Sequence, residues 1–107
     1  MKEFSAEELN KIAMQIILHA GDSRALMGEV IDNLVNGNED EVNAKMKEAR
    51  SEIVEAHRLQ TDVIQSTIDS ESCIPTLLFT HAQDTLMTVN SELYIVEYLV
   101  KLYRGRK

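Results

Sequence analysis

The sequence has no tryptophan, one cysteine, one proline and four glycines among 107 residues. Each scarcity closes a class of answer. A lone thiol, Cys73, forms neither an internal disulfide nor a multi-thiolate metal site, so a reducing compartment is the simplest setting. So few turn-forming residues do not suffice for an all-β fold of this length. Bases are outnumbered, eleven against eighteen acids, and the formal charge of −7 repels phosphate backbones and anionic lipid alike. Neither a nucleic acid nor direct membrane insertion is therefore expected. No run approaches the ~20 apolar residues of a membrane span, and the start, residues 1–8, turns acidic where a signal peptide needs an apolar stretch. The expectation is a soluble, cytoplasmic protein.

What is present is a hydrophobic fraction of 44%, enough for one core, and residues 1–107 read as a single domain. Apolar spacing is helical almost throughout. The first helix should begin at Ser5, which with Glu8 fits a capping box, and carries Leu9, Ile12, Ala13, Ile16, Ile17 and Ala20 on one side. Gly21-Asp22 is a candidate bend, after which Met27, Val30, Ile31, Leu34 and Val35 continue the stripe to an Asn36-Gly37 stop. Asn38 is the expected cap of a second helix, whose seam steps by four and three through Val42, Met46, Ala49, Ile53, Ala56, Gln60, Val63 and Thr67. Residues 69–73 read as a loop. Pro75 fits the first position of a third helix, and Lys101, Arg104, Arg106 and Lys107 suit its negative end. Met14, Met27, Met46 and Met87 read as core filling, and His19 as packing.

Helices of about 25 to 30 residues are each some ~40 Å long, so the chain makes a thin all-α bundle of three antiparallel rods. The third carries two adjacent seams. Ala82, Leu86, Val89, Leu93, Val96, Val100 and Tyr103 form an apolar one; Leu77, His81, Asp84, Thr88, Ser91, Ile95, Tyr98 and Leu102 form another, apolar at its ends and polar in its middle. Three helices can cover the first but not both, and symmetric self-association is the natural way to cover the second.

His81 and Asp84, three residues apart, share one helix face, with Thr85 and Thr88 on nearly the same side. Imidazole is normally neutral yet nucleophilic near neutral pH, so it can accept a phosphoryl group and pass it on. The competing reading is a partly buried histidine hydrogen-bonded to Asp84 or Thr85, and spacing alone leaves both open. No Glu-x-x-His pair occurs, which counts against a di-iron carboxylate bundle.

The stretch His81-Ala82-Gln83-Asp84-Thr85-Leu86-Met87-Thr88 resembles the His-Ala-Gln-Asp-His-Leu-Met-Thr signature of the enzyme IIA component of the lactose/cellobiose (N,N'-diacetylchitobiose) branch of the bacterial sugar phosphotransferase system. Two further stretches agree in order, Ala20-Gly21-Asp22-Ser23-Arg24 and Glu55-Ala56-His57-Arg58-Leu59-Gln60-Thr61, and the likeness runs from about Leu9 to Arg104. The resemblance implies a homotrimer with a nine-helix core. It also implies a phosphotransferase role: a phosphoryl carrier for lactose-, cellobiose- or chitobiose-type sugar uptake. In that role His81 takes phosphate from the phosphorylated histidine-containing phosphocarrier protein and gives it to a cysteine of the cognate IIB component. No glycine-rich phosphate loop is present, so ATP is not the expected donor.

By the same resemblance Asp84 meets its two symmetry mates at the trimer axis, where the family's metal lies. Three converging carboxylates repel, so a divalent cation or bound protons must offset them. Oxygen ligands suit Mg²⁺, in a structural role; an ordinary ion pair or shared proton at Asp84 is the alternative. Thr85 stands where the family usually has a second histidine. Its hydroxyl could donate to a phosphoryl oxygen but supplies no cation. His57 and Gln60 are the remaining candidate neighbours of the site, with a hydrogen-bonded interface histidine the other reading of His57. The departure at Thr85 keeps a second function in view, a non-catalytic trimeric helical module that binds a transporter or regulator.

Overall fold

The computed structural model describes residues 4–66 and 75–106 in full, together with the backbone of 67 and 68. It contains three helices, α1 Ala6–Val35, α2 Glu39–Ile68 and α3 Leu77–Gly105, and the described residues form no strand. The capping box at Ser5 is formed in both directions, with Glu8 N–H donating to Ser5 Oγ and Ser5 N–H donating to Glu8 Oε1, each at 3.1 Å. α1 runs without interruption through Gly21-Asp22. It ends at Asn36, and Gly37 takes φ of +79°, a left-handed conformation that glycine adopts at little cost. Asn38 follows at the head of α2, its carbonyl accepting from the Val42 N–H at 3.0 Å.

Pro75 does not occupy the first helical position. Thr76 is the cap of α3, accepting the Phe79 N–H at 3.1 Å, and Pro75 stands just outside. A side-chain acceptor satisfies one of the orphan N–H groups at the helix start, which a proline cannot do. The loop read over 69–73 and the side chain of Thr67 lie outside the described residues.

Ion pairs fix the register. His19 with Glu52 and Lys45 with Glu29 run α1 against α2, and Arg50 with Glu97 and Arg104 with Glu39 run α2 against α3. In both cases one number rises as the other falls, so neighbours in sequence are antiparallel. The rod measures 56 × 20 × 19 Å, thin as its 30-residue helices require.

The core follows the expected stripes except at the end of α1, where Val35 is 66% exposed. Leu9, Ile16, Val30, Val42, Val63, Leu86 and Val89 are fully buried, and Ala13, Ala20, Ala49, Ala56 and Ala82 are sealed between helices that their small side chains let approach closely. Among the described residues Ser23 is the one buried polar side chain, and its hydroxyl donates to the Ala49 carbonyl at 2.9 Å, which offsets the cost of its burial. Leu86→Ala should lower stability by about 3 kcal/mol, read as a drop in the urea midpoint, because Leu86 is enclosed and its loss leaves a cavity.

Several expectations are corrected. Met27 and Met46 are core, but Met14 is 47% and Met87 67% exposed. His19 is not simple packing, since its Nδ1 lies 2.8 Å from Glu52 Oε2 across the α1–α2 contact. Tyr103, the last residue of the apolar α3 seam, is 37% exposed. Among the described residues of the basic tail only Arg104 lies in the final turn, and its guanidinium reaches across to Glu39 and Asn43 instead of back to its own helix end; Lys107 lies outside the described residues.

Candidate functional site

α3 sorts its residues by angle. Asp84 and Leu86, two positions apart, point roughly 160° away from each other at 3.6 residues per turn. The two seams, read from the sequence as adjacent, therefore occupy nearly opposite faces. Phe79, Ala82, Leu86, Val89, Leu93 and Val100 are buried, while Leu77, His81, Asp84, Thr88, Ser91, Ile95, Tyr98 and Leu102 are all exposed. Leu77, Tyr98 and Leu102 are each more than 60% exposed. Tyr94, Met87 and Leu99 flank that stripe and enlarge it; their signal in the sequence is that each sits one residue from a seam position.

His81 stands in the first half of α3, downstream of the Thr76 cap, on a helix anchored from below by Phe79 and Ala82. Its imidazole makes no hydrogen bond with a described residue, and neither does the Asp84 carboxylate. The nearby hydroxyls are committed to backbone. Thr85 Oγ1 donates to the His81 carbonyl at 2.9 Å, and Thr88 Oγ1 donates to the Asp84 carbonyl at 2.9 Å. Such i to i−4 bonding is a common use of threonine within a helix. It means that the Thr85 hydroxyl proton is occupied and must rotate away before it can serve another acceptor. The reading of His81 as a partly buried ring held by Asp84 or Thr85 does not describe this geometry.

His57 and Gln60 lie on α2, both half-buried, and neither is hydrogen-bonded to His81. The Gln60 Oε1 atom is buried and without a partner. Arg58, between them in sequence, is occupied on the surface by Glu55 and Asp62. Its hydrogen bond, the largest cause, lowers the Glu55 carboxyl from its ordinary value; desolvation opposes this and the Arg58 charge adds to it. This places the cation with carboxylates of its own helix. Among the described residues no three histidine, cysteine or acidic side chains converge to hold a metal ion. Asp84 alone offers one exposed carboxylate, a donor that suits a hard cation only when further copies supply the rest. No helix is long and apolar enough to cross a membrane among the described residues.

The chain is thus an all-α rod that presents, on an exposed and half-apolar helix face, a histidine with no hydrogen bond to a described residue. Residues 11–104 match the family described as PTS system, Lactose/Cellobiose specific IIA subunit, and the chain belongs to that family. It is 36% identical over 97 residues to the lichenan-specific phosphotransferase enzyme IIA component of Bacillus subtilis, covering 91% of this chain and 88% of that one. It is 29% identical to the N,N'-diacetylchitobiose-specific EIIA component of Escherichia coli K12, covering 95% and 88%. Among solved structures it resembles PtcA from S. mutans, with a TM-score of 0.87, 31% identity and coverage of 94% of this chain and 99% of that one. The PTS cellobiose-specific enzyme IIA of Bacillus anthracis superposes with a TM-score of 0.82 at 31% identity, covering 97% and 93%.

Proposed function

We propose that this IIA component carries a phosphoryl group on His81, taking it from the phosphorylated histidine-containing phosphocarrier protein and delivering it to a cysteine of a cognate IIB component during uptake of a β-linked disaccharide or related sugar. The observation that supports it most is the accessible imidazole, unbonded among the described residues, at the head of a segment that resembles the family's signature at every position of the eight except Thr85. In the first step an imidazole nitrogen attacks phosphorus as the donor's P–N bond breaks. In the second, a thiolate attacks phosphorus, the P–N bond to His81 breaks and the imidazole recovers its electron pair. Neither step asks the chain for more than positioning, since the partners supply the rest of the charge stabilisation.

The proposal includes a homotrimer in which the exposed seam of α3 lies at the three-fold axis. That arrangement covers Leu77, Ile95, Tyr98 and Leu102 and brings three Asp84 carboxylates together, which a divalent cation, Mg²⁺ by ligand preference, would neutralise. Its role there is structural.

Incubation with the phosphorylated phosphocarrier should add one acid-labile phosphoryl group per chain by intact mass, and that group should pass to a IIB cysteine. Acid-stable label would point to serine or threonine and overturn the assignment. Normal loading without onward transfer would favour the second reading, a regulatory or binding module, which the occupied Thr85 hydroxyl supports. Thr85→His should raise the loading rate by up to about tenfold, the worth of one added hydrogen bond of ~1.4 kcal/mol, and make that rate depend on pH around ~6.5. A rate profile across that range in both proteins measures it.

A further inference from the structure

α1 packs closely on both other helices, whereas α2 and α3 meet far less extensively. A cleft of about 610 Å³ consequently opens between the first half of α2 and the last half of α3. Its floor is apolar, made by the buried side chains of Val42, Met46 and Val100. Its walls carry Lys47, Arg50, Lys101 and Arg104, four of the eleven basic residues in a chain of net charge −7. Arg50 is held by Glu97 at 2.8 Å, and Arg104 by Glu39 and by Asn43 Oδ1 at 2.9 Å. Lys47 and Lys101 have no ion-pair partner among the described residues. Four cations against two carboxylates leave a local charge of +2, and Asn43 Nδ2 remains a neutral donor at the rim.

We propose that this cleft binds a phosphate dianion, free or as a small phosphate monoester, between the Lys47 and Lys101 ammonium groups. The two unpaired charges match a doubly charged phosphate, and the guanidinium groups, fixed across the cleft by their carboxylates, lend further donors without having to be ordered on binding. The apolar floor gives an ester's organic part a surface to lie on. Lys101 is twenty residues along α3 from His81, ~30 Å at 1.5 Å rise, so the site is separate from the histidine and its existence does not depend on what His81 carries.

The test is a titration of the ¹⁵N-labelled full chain, followed by amide shifts, with inorganic phosphate, glucose 6-phosphate, glucose, and sodium chloride at matched ionic strength. Both phosphates should shift amides of Asn43, Lys47, Arg50 and Lys101 saturably, with half-saturation near or below about 1 mM. The salt and the neutral sugar should not. Lys47→Ala with Lys101→Ala keeps two good helix formers on the surface and should weaken binding at least about tenfold, while Lys11→Ala leaves it unchanged. A tighter fit for the sugar ester than for phosphate identifies the monoester as the ligand, and equal fits identify the phosphate group alone; either supports the site. Non-saturable shifts, shifts reproduced by chloride, or binding unaltered in the double variant would overturn it.

Discussion

Replacing His81 with alanine is expected to abolish phosphoryl acceptance, lowering the rate by at least about a thousandfold, or ~4 kcal/mol in the barrier, with the fold untouched. Both halves of that expectation come from the same geometry. The imidazole is exposed and makes no hydrogen bond with a described residue, so its removal should change stability by no more than about 0.5 kcal/mol. It is also the one imidazole on the exposed seam: Asp84 is an acceptor only, the Thr85 and Thr88 hydroxyls donate to the carbonyls four residues back, and hydroxyls such as those of Ser91 and Tyr98 are weak nucleophiles until a base removes the proton. Leu86→Ala provides the opposite control, since it should cost stability while leaving the histidine in place. His57→Ala should cost little, because neither a hydrogen bond nor an ion pair joins His57 to His81 among the described residues. Intact mass after incubation with the phosphorylated carrier, alongside circular dichroism, separates the cases. Label retained in His81→Ala would move the chemistry to another residue.

Much of this architecture is legible before any coordinates. The helix limits follow from side chains that satisfy orphan backbone groups, as at Ser5 with Glu8, and from the left-handed glycine at position 37. The stripes of α1 and α2 follow because burial obeys the helical period, and the two faces of α3 separate for the same reason. Rotation of one helix about its axis relative to its neighbours is not encoded in that period, so Met14 and Met87 look like core and turn out exposed. Cross-helix pairs such as Arg50 with Glu97 and His19 with Glu52 depend on that rotation and on register, and spacing along a single helix does not reveal them. The start of α3 is misjudged because proline and threonine both suit a helix entry, and the Thr76 hydroxyl wins by accepting a bond. At the site, spacing brings His81, Asp84 and Thr88 to one face correctly. The chemical role proposed for His81 rests on the eight-residue likeness, since a histidine and an aspartate three apart are common on helices. The Thr85 rotamer, which commits its proton to backbone, is a packing outcome with no counterpart in composition.

Ile95→Asp is expected to convert the protein to a monomer at micromolar concentration and to impair transfer with it, whereas Asp84→Leu should keep the assembly and remove any dependence on a divalent cation. The reasoning starts from the stripe on α3. Burying one of Leu77, Ile95, Tyr98 or Leu102 contributes about 1.5–3 kcal/mol, and a three-fold axis counts each residue three times. That gross gain, about 18–36 kcal/mol over the trimer, stands against roughly 8–30 kcal/mol of lost freedom over its two association steps, and at matching ends of the two ranges it is the larger, which favours a closed trimer. An aspartate at position 95 reverses the sign, because it removes three apolar anchors and sets three charges facing one another in a poorly hydrated seam. Asp84 already imposes that penalty, within one turn of His81, unless a cation or protons offset it, and leucine replaces mutual repulsion with packing. Light scattering with and without chelator reads both effects. Wild-type protein should lose compactness or mass on chelation, Asp84→Leu should not, and Ile95→Asp should scatter as a single chain in either buffer. A wild-type monomer would remove the proposed assembly altogether, and a trimer indifferent to Ile95→Asp would show that some other face than this seam mediates it.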